Sequence, residues 1–379
     1  MSTLLQHPFA AAFFIIGLIF LGYRLMVVLL NIILDTRIPI RESLELPTIS
    51  ILIPARNEAR NLTALFAQLK YIEHQVAEII ILDDQSEDLT PDLLRSWELG
   101  GEKRKVLKGS TLPAGWLGKH YACANLAQAA KSDYFLFLDA DIAQLDTRLL
   151  PSIFTQIKKR KLSLISIFPD QHMLSLGEKT VVPLMHYLLL SLLPLRWIYS
   201  LPFASMAAAN GQCMVFEAKA YRQHKWHEQV KSIIVEDIAI MKAVKSAKLK
   251  GLTFTANGLI WARMYQSFGE GLAGFGKNIL SGFGNSVIGL IVYLVLLLGF
   301  PILLIFLGWQ GVVSGKILLL ILGGMIGIKA GISMLANQSI IQNLLLAPVH
   351  MISMLIVAVR SIINLIRKKN TWKGRNVQL

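Results

Sequence analysis

The chain has 379 residues, of which 54% are hydrophobic and 16% charged, and its formal net charge is +14. The charged fraction lies well below the roughly 25% of an ordinary soluble domain, which excludes a wholly soluble protein and predicts membrane segments beside one domain of roughly 200–250 residues. The positive charge is attributed first to anionic lipid at a cytoplasmic membrane surface. The basic residues are dispersed and form no recognition module, so no nucleic-acid partner is expected.

The first long apolar run extends over residues 9–34 and is long enough to cross a bilayer. It lacks a basic leader and a small-residue cleavage site, which indicates a retained transmembrane anchor at residues 1–36 rather than a signal peptide. Arg24 interrupts the run. Because a charge near the bilayer centre is costly, we expect its side chain to reach the membrane surface or to face another helix.

Strands and helices then alternate, which predicts an α/β domain, residues 45–284, with a mostly parallel sheet and right-handed crossovers. A first strand at 49–54 would be stopped by Pro54. A second strand at 78–82 runs directly into Asp83 and Asp84. The predicted helices are 61–71, 90–99 and 119–130, and shorter strands are predicted at 105–107 and 162–168.

Residues 134–141, with the sequence YFLFLDAD, organise this region. An unbroken apolar run of this length is typical of a strand buried on both faces, and ligands bind at the carboxyl edge of such sheets. Asp139 and Asp141 would share one face, where two carboxylates raise each other's pKa and require a cation such as Mg²⁺ or Mn²⁺. A strand end that turns into solvent is the alternative. Because Asp83 and Asp84 would lie at the same edge, we favour a ligand site.

Four later segments have less regular patterns. Residues 181–209 are apolar but broken by prolines, so we expect an interfacial or re-entrant segment, with a buried hairpin as the alternative. Residues 210–216 read as a turn and a strand, and 252–263 as strand pairing. Glu236 and Asp237 precede a helical run at 238–248, where acids also stabilise a helix start simply through the macrodipole.

Residues 285–366 are predicted to form a C-terminal membrane region with two to three transmembrane helices. The segments 287–309 and 317–336 are long enough to span, whereas 340–366 contains several polar residues. If the α/β domain is cytoplasmic, three later spans would place the basic tail, 367–379, outside the cell, against the positive-inside tendency. Two spans and one interfacial segment are therefore favoured.

Five motifs in a fixed order make residues 48–280 resemble glycosyltransferase family 2, which has the GT-A fold. They are Pro54-Ala55-Arg56-Asn57-Glu58, Leu82-Asp83-Asp84-Gln85-Ser86, Gly118-Lys119, Asp139-Ala140-Asp141 and Glu236-Asp237. Three further stretches resemble the membrane-bound branch associated with carotenoid and hopanoid glycosylation. Their sequences are PAGWLGKH at 113–120, RMYQSFGEG at 263–271 and WKGR at 372–375.

The resemblance implies how a nucleotide-sugar donor, carrying UDP or GDP, would be held. Asp84 would bond the nucleotide base, with help from Pro54, Arg56 and Glu58. Lys119 would neutralise oxygens of the base or of the diphosphate.

The resemblance also implies that Asp139 faces the ribose and that Asp141 binds the divalent metal on the diphosphate. Some relatives carry another metal ligand two residues after the second aspartate. Ala143 occupies that position here, which implies a more water-filled or weaker metal site.

An inverting sugar transfer needs a carboxylate to take the proton of the acceptor hydroxyl and a cation to stabilise the departing diphosphate. The resemblance implies that Asp237 is this base, with Glu236 and Arg263 on the acceptor side. The expected function is therefore a multi-pass enzyme of the plasma membrane with a cytoplasmic catalytic domain. It would glycosylate a lipid of the carotenoid, hopanoid, other isoprenoid or glycerolipid type.

Two alternatives remain open. A processive polysaccharide synthase of the same fold usually carries Gln-x-x-Arg-Trp after the Glu-Asp pair, but residues 261–266 read WARMYQ. A catalytically silent scaffold that only binds nucleotide sugars would not need to retain every candidate acid.

Overall fold

The computed structural model describes residues 8–42, 45–201, 203, 206–367, 371–372 and 375–376. The chain forms two compact units, which we name the sheet unit and the helical unit. The sheet unit comprises Thr36–His172, Leu195–Met264 and Lys369–Leu379. The helical unit comprises Met1–Asp35, Met173–Pro194 and Tyr265–Lys368. The domain predicted at 45–284 is thus shared between the two units.

The strands belong to the sheet unit. In chain order they are β1 (Ile49–Ala55), β2 (Glu78–Asp83), β3 (Arg104–Lys108), β4 (Tyr134–Leu138), β5 (Ile142–Leu145), β6 (Leu164–Phe168), β7 (Asp170–Gln171), β8 (Cys213–Glu217), β9 (Gly251–Thr255), β10 (Ile260–Ala262), β11 (Thr371–Trp372) and β12 (Arg375–Asn376).

The helices occur in both units. In chain order they are α1 (Pro8–Ile33), α2 (Ala59–Ile72), α3 (Thr90–Glu98), α4 (Gly118–Ala129), α5 (Leu149–Arg160), α6 (Leu176–Val181), α7 (Leu184–Leu192), α8 (Arg196–Ser200), α9 (Ala218–His224), α10 (Trp226–Gln229), α11 (Glu236–Ser246), α12 (Phe268–Gly282), α13 (Val287–Leu294), α14 (Phe300–Trp309), α15 (Gly315–Leu335), α16 (Ile340–Leu345) and α17 (Ala347–Arg367). A 3₁₀ turn at Glu73–Gln75 follows α2, and a π-helical turn at Val295–Gly299 joins α13 to α14.

Seven strands form the main sheet in the order β3-β2-β1-β4-β8-β6-β9. Every neighbouring pair is parallel except the two pairs made by β8. The prediction of an α/β fold with a mostly parallel sheet is therefore confirmed. A smaller sheet has the order β5-β10-β7, so β9 and β10, which were read together as strand pairing, belong to different sheets.

Burial explains the apolar strands of the main sheet. Residues 49–53 of β1 and 135–138 of β4 are buried, as expected for strands covered by helices on both faces. Helix α2 packs through Leu62, Leu65 and Leu69, which recur at helical spacing. Pro54 does not stop β1 as predicted, since the strand continues to Ala55. Pairing with β4 has ended by then, and a residue without an amide hydrogen is tolerated there.

The antiparallel strand β8 has a consequence for the sheet edge. Cys213, the first residue of β8, pairs with Leu138, the last residue of β4. The residues just before β8 therefore lie at the carboxyl end of β4, beside Asp139. Because β8 runs opposite to β4, the turn that precedes β8 lies at the edge where the parallel strands end.

Within the described residues, four helical segments are long and apolar enough to cross a membrane: Pro8–Ile33, Val287–Trp309, Gly315–Leu335 and Ala347–Arg367. The predicted N-terminal helix is present, and the C-terminal region contains three candidate spans, the upper end of the predicted two to three. The preference for two spans and one interfacial segment stays a prediction. The polar residues Gln342 and Asn343 fall in the separate short helix α16, and Pro348 lies in the first turn of α17, where proline is tolerated. Arg367 ends α17, whereas Lys368, Lys369 and Lys373 of the basic tail lie outside the described residues.

The core of the helical unit explains why residues 173–194 and 265–284 belong to it. Val181, Leu184, Ile279, Leu290 and Met354 are buried in one apolar cluster. Helices α6, α7 and α12 therefore pack with α13 and α17. The interfacial position expected for 181–209 stays a prediction.

Candidate active site

The candidate site lies at the carboxyl edge of the main sheet, inside the sheet unit. Strand β4 ends at Leu138, and Asp139 and Asp141 follow it directly. The backbone amide of Asp139 donates to the carbonyl oxygen of Gln212 at 3.1 Å. The end of β4 and the turn before β8 are thereby fixed to each other.

Asp141 has one occupied and one unoccupied carboxylate oxygen. The side-chain amide of Gln212 donates to Oδ2 of Asp141 at 2.8 Å. The other oxygen, Oδ1, is buried and has no hydrogen-bond partner among the described residues. Burial, together with the nearby carboxylates of Asp139 and Glu58, raises the pKa of Asp141 to about 7. A bound cation would remove this penalty, since an opposite charge favours the ionised carboxylate.

Lys119 is the internal counter-ion of the site. It lies in the first turn of α4, and its ammonium nitrogen Nζ is 2.8 Å from Oδ1 of Asp139 and 3.1 Å from Oε1 of Glu236. Burial alone would lower the pKa of Lys119, but the two carboxylates outweigh it and hold that pKa well above its usual value. Burial raises the pKa of Asp139 although Lys119 opposes this. One lysine therefore holds two acids that come from distant parts of the chain.

Gly211 connects this ion pair to Asp237. Its backbone amide donates to Oδ2 of Asp237 at 3.0 Å. A Cβ atom at this position would lie 3.0 Å from Oε1 of Glu236 and 3.1 Å from Nζ of Lys119. A side chain here would push both charged groups aside by a few tenths of an ångström, so glycine lets the turn approach the ion pair without disturbing it.

The two acids at the start of α11 differ in their electrostatics. Burial would raise the pKa of Glu236, but Lys119 outweighs it and lowers that pKa to about 2. Burial raises the pKa of Asp237 to about 7, and the adjacent Glu236 carboxylate acts in the same direction. A general base works best when its pKa is near the working pH. Asp237 therefore has the electrostatics of a base, and Glu236 those of an anchored counter-ion.

His120 lies behind this pair and is 2% exposed. Its Nε2 atom is 2.9 Å from the carbonyl oxygen of Ile233, in the loop that leads to α11. Burial lowers the pKa of His120, so the ring is neutral and donates through Nε2. Its contact supports the loop rather than the chemistry.

The first two acidic loops interlock. Arg56 donates through Nη1 to the carbonyl oxygens of Asp84 at 2.6 Å and Gln85 at 2.9 Å. The backbone amide of Asn57 donates to Oγ of Ser86 at 2.9 Å. Arg56 thus fixes the shape of the loop that carries Asp84, which is itself buried.

The remaining predicted residues lie around these loops. Pro54 lies in β1, and the backbone of Glu58 precedes α2, where its amide donates to Oγ1 of Thr90 at 2.8 Å. The backbone amide of Arg263, just after β10, donates to the carbonyl oxygen of Asp141 at 2.9 Å. The roles predicted for Pro54, Arg56, Glu58, Asp84 and Arg263 stay predictions.

The side chains available as metal ligands fit an ion that is held mainly by a substrate. Within the described ranges, no group of three or more His, Cys, Asp or Glu side chains could hold an ion alone. Asp141 nevertheless offers a buried, unpartnered carboxylate oxygen, and Asp139 is already held by Lys119. Ala143, in β5, adds no ligand. Mg²⁺ and Mn²⁺ sites commonly use one or two carboxylates together with substrate phosphates and water, which is the set available here.

Gly211 and Gln212 are the site residues that sequence reasoning missed. The segment was read only as a turn before a strand. The signal that could have found it is the direction of β8, since only an antiparallel strand brings its leading turn to this edge.

Comparisons with known proteins agree with this architecture. Residues 50–214 match the family model described as Glycosyl transferase family 2, which confirms the predicted family for that stretch. The chain is 26% identical over 253 residues to a 4,4'-diaponeurosporenoate glycosyltransferase of Staphylococcus haemolyticus, covering 64% of either chain. It is 29% identical over 124 residues to a beta-monoglucosyldiacylglycerol synthase of Trichormus variabilis, covering 32% of this chain and 26% of the relative. The chain thus spans less than two thirds of the length of these relatives.

One solved structure is similar over nearly the whole chain. It is a mannosyltransferase from Pyrobaculum calidifontis in complex with GDP-Man and Mn²⁺, with a TM-score of 0.59 and 11% identity. The match covers 93% of this chain and 99% of that one. At this level of identity it shows the fold.

Proposed function

We propose that this protein, whose residues 50–214 form a glycosyltransferase family 2 domain, is a membrane-bound inverting glycosyltransferase that moves a sugar from a nucleotide donor to a lipid acceptor. The proposal depends on one observation: the acids of the site differ in their partners and in their pKa values. Asp141 keeps an unpartnered oxygen, Asp237 has a raised pKa, and Lys119 neutralises the acids between them.

On the donor side, Asp141 would hold the metal, with Gln212 orienting its carboxylate through the 2.8 Å hydrogen bond. A bound Mg²⁺ or Mn²⁺ ion would stabilise negative charge on the diphosphate leaving group. The interlocked loops that carry Arg56 and Asp84 would form the wall for the nucleotide. The donor in the similar mannosyltransferase structure, GDP-Man with Mn²⁺, supports a nucleotide sugar and a divalent metal.

On the acceptor side, Asp237 would accept the proton of the attacking hydroxyl group. The Gly211 amide and its own helix start hold this carboxylate in place, through contacts of 3.0 Å to Oδ2 and 2.7 Å to Oδ1. Glu236 cannot easily take this role because Lys119 keeps it ionised and paired. One base and one departing diphosphate suit an inverting displacement, by analogy with inverting glycoside hydrolysis.

A lipid acceptor is supported by two independent features. The chain contains four segments that could cross a membrane. The names of two relatives specify diaponeurosporenoate and monoglucosyldiacylglycerol, both of them lipids. We propose that the sheet unit is cytoplasmic, where nucleotide sugars are made, and that the membrane is the plasma membrane.

The test uses membranes that contain the full chain, a panel of radiolabelled UDP- and GDP-sugars, total lipid extract, and either EDTA, Mg²⁺ or Mn²⁺. Wild type is compared with Asp237→Asn. The matched control is Asp92→Asn, which also removes an acid from the first turn of a helix but is exposed. We expect metal-dependent label in organic-soluble product for wild type and for Asp92→Asn, and its loss in Asp237→Asn.

Other outcomes would replace the proposal. Label in insoluble polymer would indicate a processive polysaccharide synthase. Binding of a nucleotide sugar without turnover on any lipid fraction would indicate a scaffold. Full activity in Asp237→Asn would exclude this residue as the base.

A further inference from the structure

The helical unit contains a cavity of about 340 Å³. Its walls are apolar side chains from α1, α7 and the C-terminal helices, but Arg24, Lys329 and His350 also line it. The volume lies in the range of about 300–1,000 Å³ that is typical of small-molecule pockets. The cavity therefore combines an apolar body with a small group of basic side chains.

Arg24 is the most exceptional of these residues. It is 4% exposed, and its Nε and Nη2 atoms have no hydrogen-bond partner among the described residues. Its guanidinium lies 4.6 Å from the ring centre of Tyr187 and 5.3 Å from that of Phe20. Of the two positions expected from the sequence, the side chain thus faces other helices. Aromatic rings offset part of a cation's desolvation, but they leave the N–H groups at Nε and Nη2 without an acceptor among the described residues.

Lys329 adds a second cation to the same group. Its Nζ atom lies 5.0 Å from the ring centre of Tyr187 and donates to Nδ1 of His350 at 2.8 Å. His350 donates through Nε2 to the carbonyl oxygen of Lys179 at 2.8 Å. These two hydrogen bonds require a neutral imidazole that accepts at Nδ1 and donates at Nε2. His350 therefore holds Lys329 in place without supplying a negative charge to balance the ammonium group.

The cavity lacks a negative charge. No aspartate or glutamate is among the described residues that line it. Two cations share one tyrosine ring in a unit whose long helices could cross a membrane. Buried charges are normally paired, and basic groups inside a membrane protein usually mark a ligand or ion site.

We propose that this cavity binds the anionic group, a phosphate or a carboxylate, of a membrane amphiphile whose hydrocarbon chain lies against the apolar walls. Arg24 supplies the free guanidinium donors that match the planar oxygens of such a group, and Lys329 supplies a point charge. This site uses none of the acids of the sheet unit, so it stands or falls independently of sugar transfer.

The test measures lipid binding by the purified full-length protein with native mass spectrometry. The probes are dioleoyl phosphatidylglycerol, oleate and inorganic phosphate, with dioleoyl phosphatidylcholine as the zwitterionic comparison. We expect one anionic amphiphile per chain, bound at least tenfold more tightly than phosphatidylcholine. Retention of phosphatidylglycerol alone would assign a lipid phosphate, and retention of oleate alone a carboxylate.

The variants are Arg24→Met and Lys329→Met, and the matched control is Lys316→Met, an exposed lysine on the same helix as Lys329. We expect each cavity variant to weaken anionic binding at least tenfold and Lys316→Met to leave it unchanged. Arg24→Lys keeps the charge and should retain part of the binding. Because Arg24 has no acidic partner among the described residues, Arg24→Met should not lower the thermal midpoint of the lipid-free protein.

Three results would overturn the inference. They are equal binding of phosphatidylglycerol and phosphatidylcholine by wild type, unchanged anionic binding in both cavity variants, and binding of inorganic phosphate with no retained amphiphile. The first and third need no variant, so a variant that fails to fold does not weaken the test.

Discussion

The sheet unit and the helical unit both bury charge, but with opposite sign. At the sheet edge, the ammonium group of Lys119 pairs with Asp139 and Glu236, and Asp141 and Asp237 belong to the same site. In the cavity of the helical unit, the described lining residues include two cations and no carboxylate. The first group calls for a cation and the second for an anion. Each unit is therefore electrostatically incomplete in a way that specifies the sign of what it binds.

The degree of internal compensation also differs. In the sheet unit Lys119 neutralises two of the acids. The negative charge without a counter-ion is therefore confined to Asp141 and Asp237, whose pKa values are both raised to about 7. In the helical unit the contacts of Arg24 and Lys329 are the aromatic rings of Phe20 and Tyr187 and, for Lys329, the neutral ring of His350, and none of these groups carries a negative charge. Because Lys119 neutralises its two partners, the remaining negative charge of the sheet edge lies on two carboxylates rather than on a diffuse patch. One of them can bind a metal ion, and the other can accept a proton.

We expect the largest effect from Asp141→Asn, which removes the negative charge of the carboxylate that would bind the metal. Metal and electrostatic stabilisation of a leaving group supply several kcal/mol, so transfer should fall roughly 10³-fold. The measurement is the rate of labelled-lipid formation at saturating Mn²⁺. Asp133→Asn is the matched control, since Asp133 precedes the same strand at its other end. A rate within threefold of wild type would contradict the assignment.

Lys119→Met tests whether the ion pair is the anchor of the sheet edge. Removal of one partner leaves Asp139 and Glu236 buried without a cation, which should cost about 3 kcal/mol of unfolding free energy. Denaturant unfolding of the purified protein measures it, with Lys219→Met as an exposed control. The double variant Lys119→Met/Glu236→Gln should recover part of the loss. If Lys119→Met alone is as stable as wild type, the pair is not an anchor.

Gln212→Leu should weaken the metal site without destroying it. Gln212 contacts Asp141 rather than the ion, and loss of such an outer partner typically costs about 10–100-fold in metal affinity. Titration with Mn²⁺ in the presence of donor, followed by electron paramagnetic resonance, gives the affinity. Gln144→Leu, exposed on the adjacent strand β5, should leave it unchanged. An unaltered affinity in Gln212→Leu would separate Gln212 from the metal.

The pH dependence should report Asp237. With its pKa raised to about 7 by burial and by Glu236, Asp237 is protonated below that pH and cannot accept a proton. Asp141, whose pKa is also raised to about 7, would be held ionised by the cation when the assay contains saturating Mn²⁺. Lys119, whose pKa is raised, and Glu236, whose pKa is lowered, keep their charges across this range. We expect kcat/KM to fall about tenfold per unit below pH 7 and to level off above it. A flat profile between pH 5 and pH 8, at constant donor affinity, would argue against this base.

Sequence reasoning located one half of the site for a physical reason. Parallel strands end at a common edge, so acids that follow buried strands, such as Asp84 and Asp141, must lie near each other. Asp237 and Lys119 were placed only through family resemblance, because no local periodicity links the start of one helix to another. The structure distinguishes the role of Asp237 from that of its neighbour Glu236, because it shows that Lys119 pairs with Glu236.

The other half depends on contacts that a single sequence does not encode locally. Gln212 reaches Asp141 because β8 runs antiparallel, and strand direction follows from the whole topology. Likewise, the long apolar run around Arg24 predicts a membrane helix and two placements for the charge. Only the packing of Phe20 and Tyr187 shows that the guanidinium is enclosed.

The most direct test of the central claim measures donor binding and single-turnover transfer on the same sample of Asp237→Asn. If the buried acids divide their labour as described, the variant binds the nucleotide sugar within threefold of wild type and loses roughly 10³-fold in the rate of transfer. Loss of donor binding together with transfer, or transfer at the wild-type rate, would contradict it.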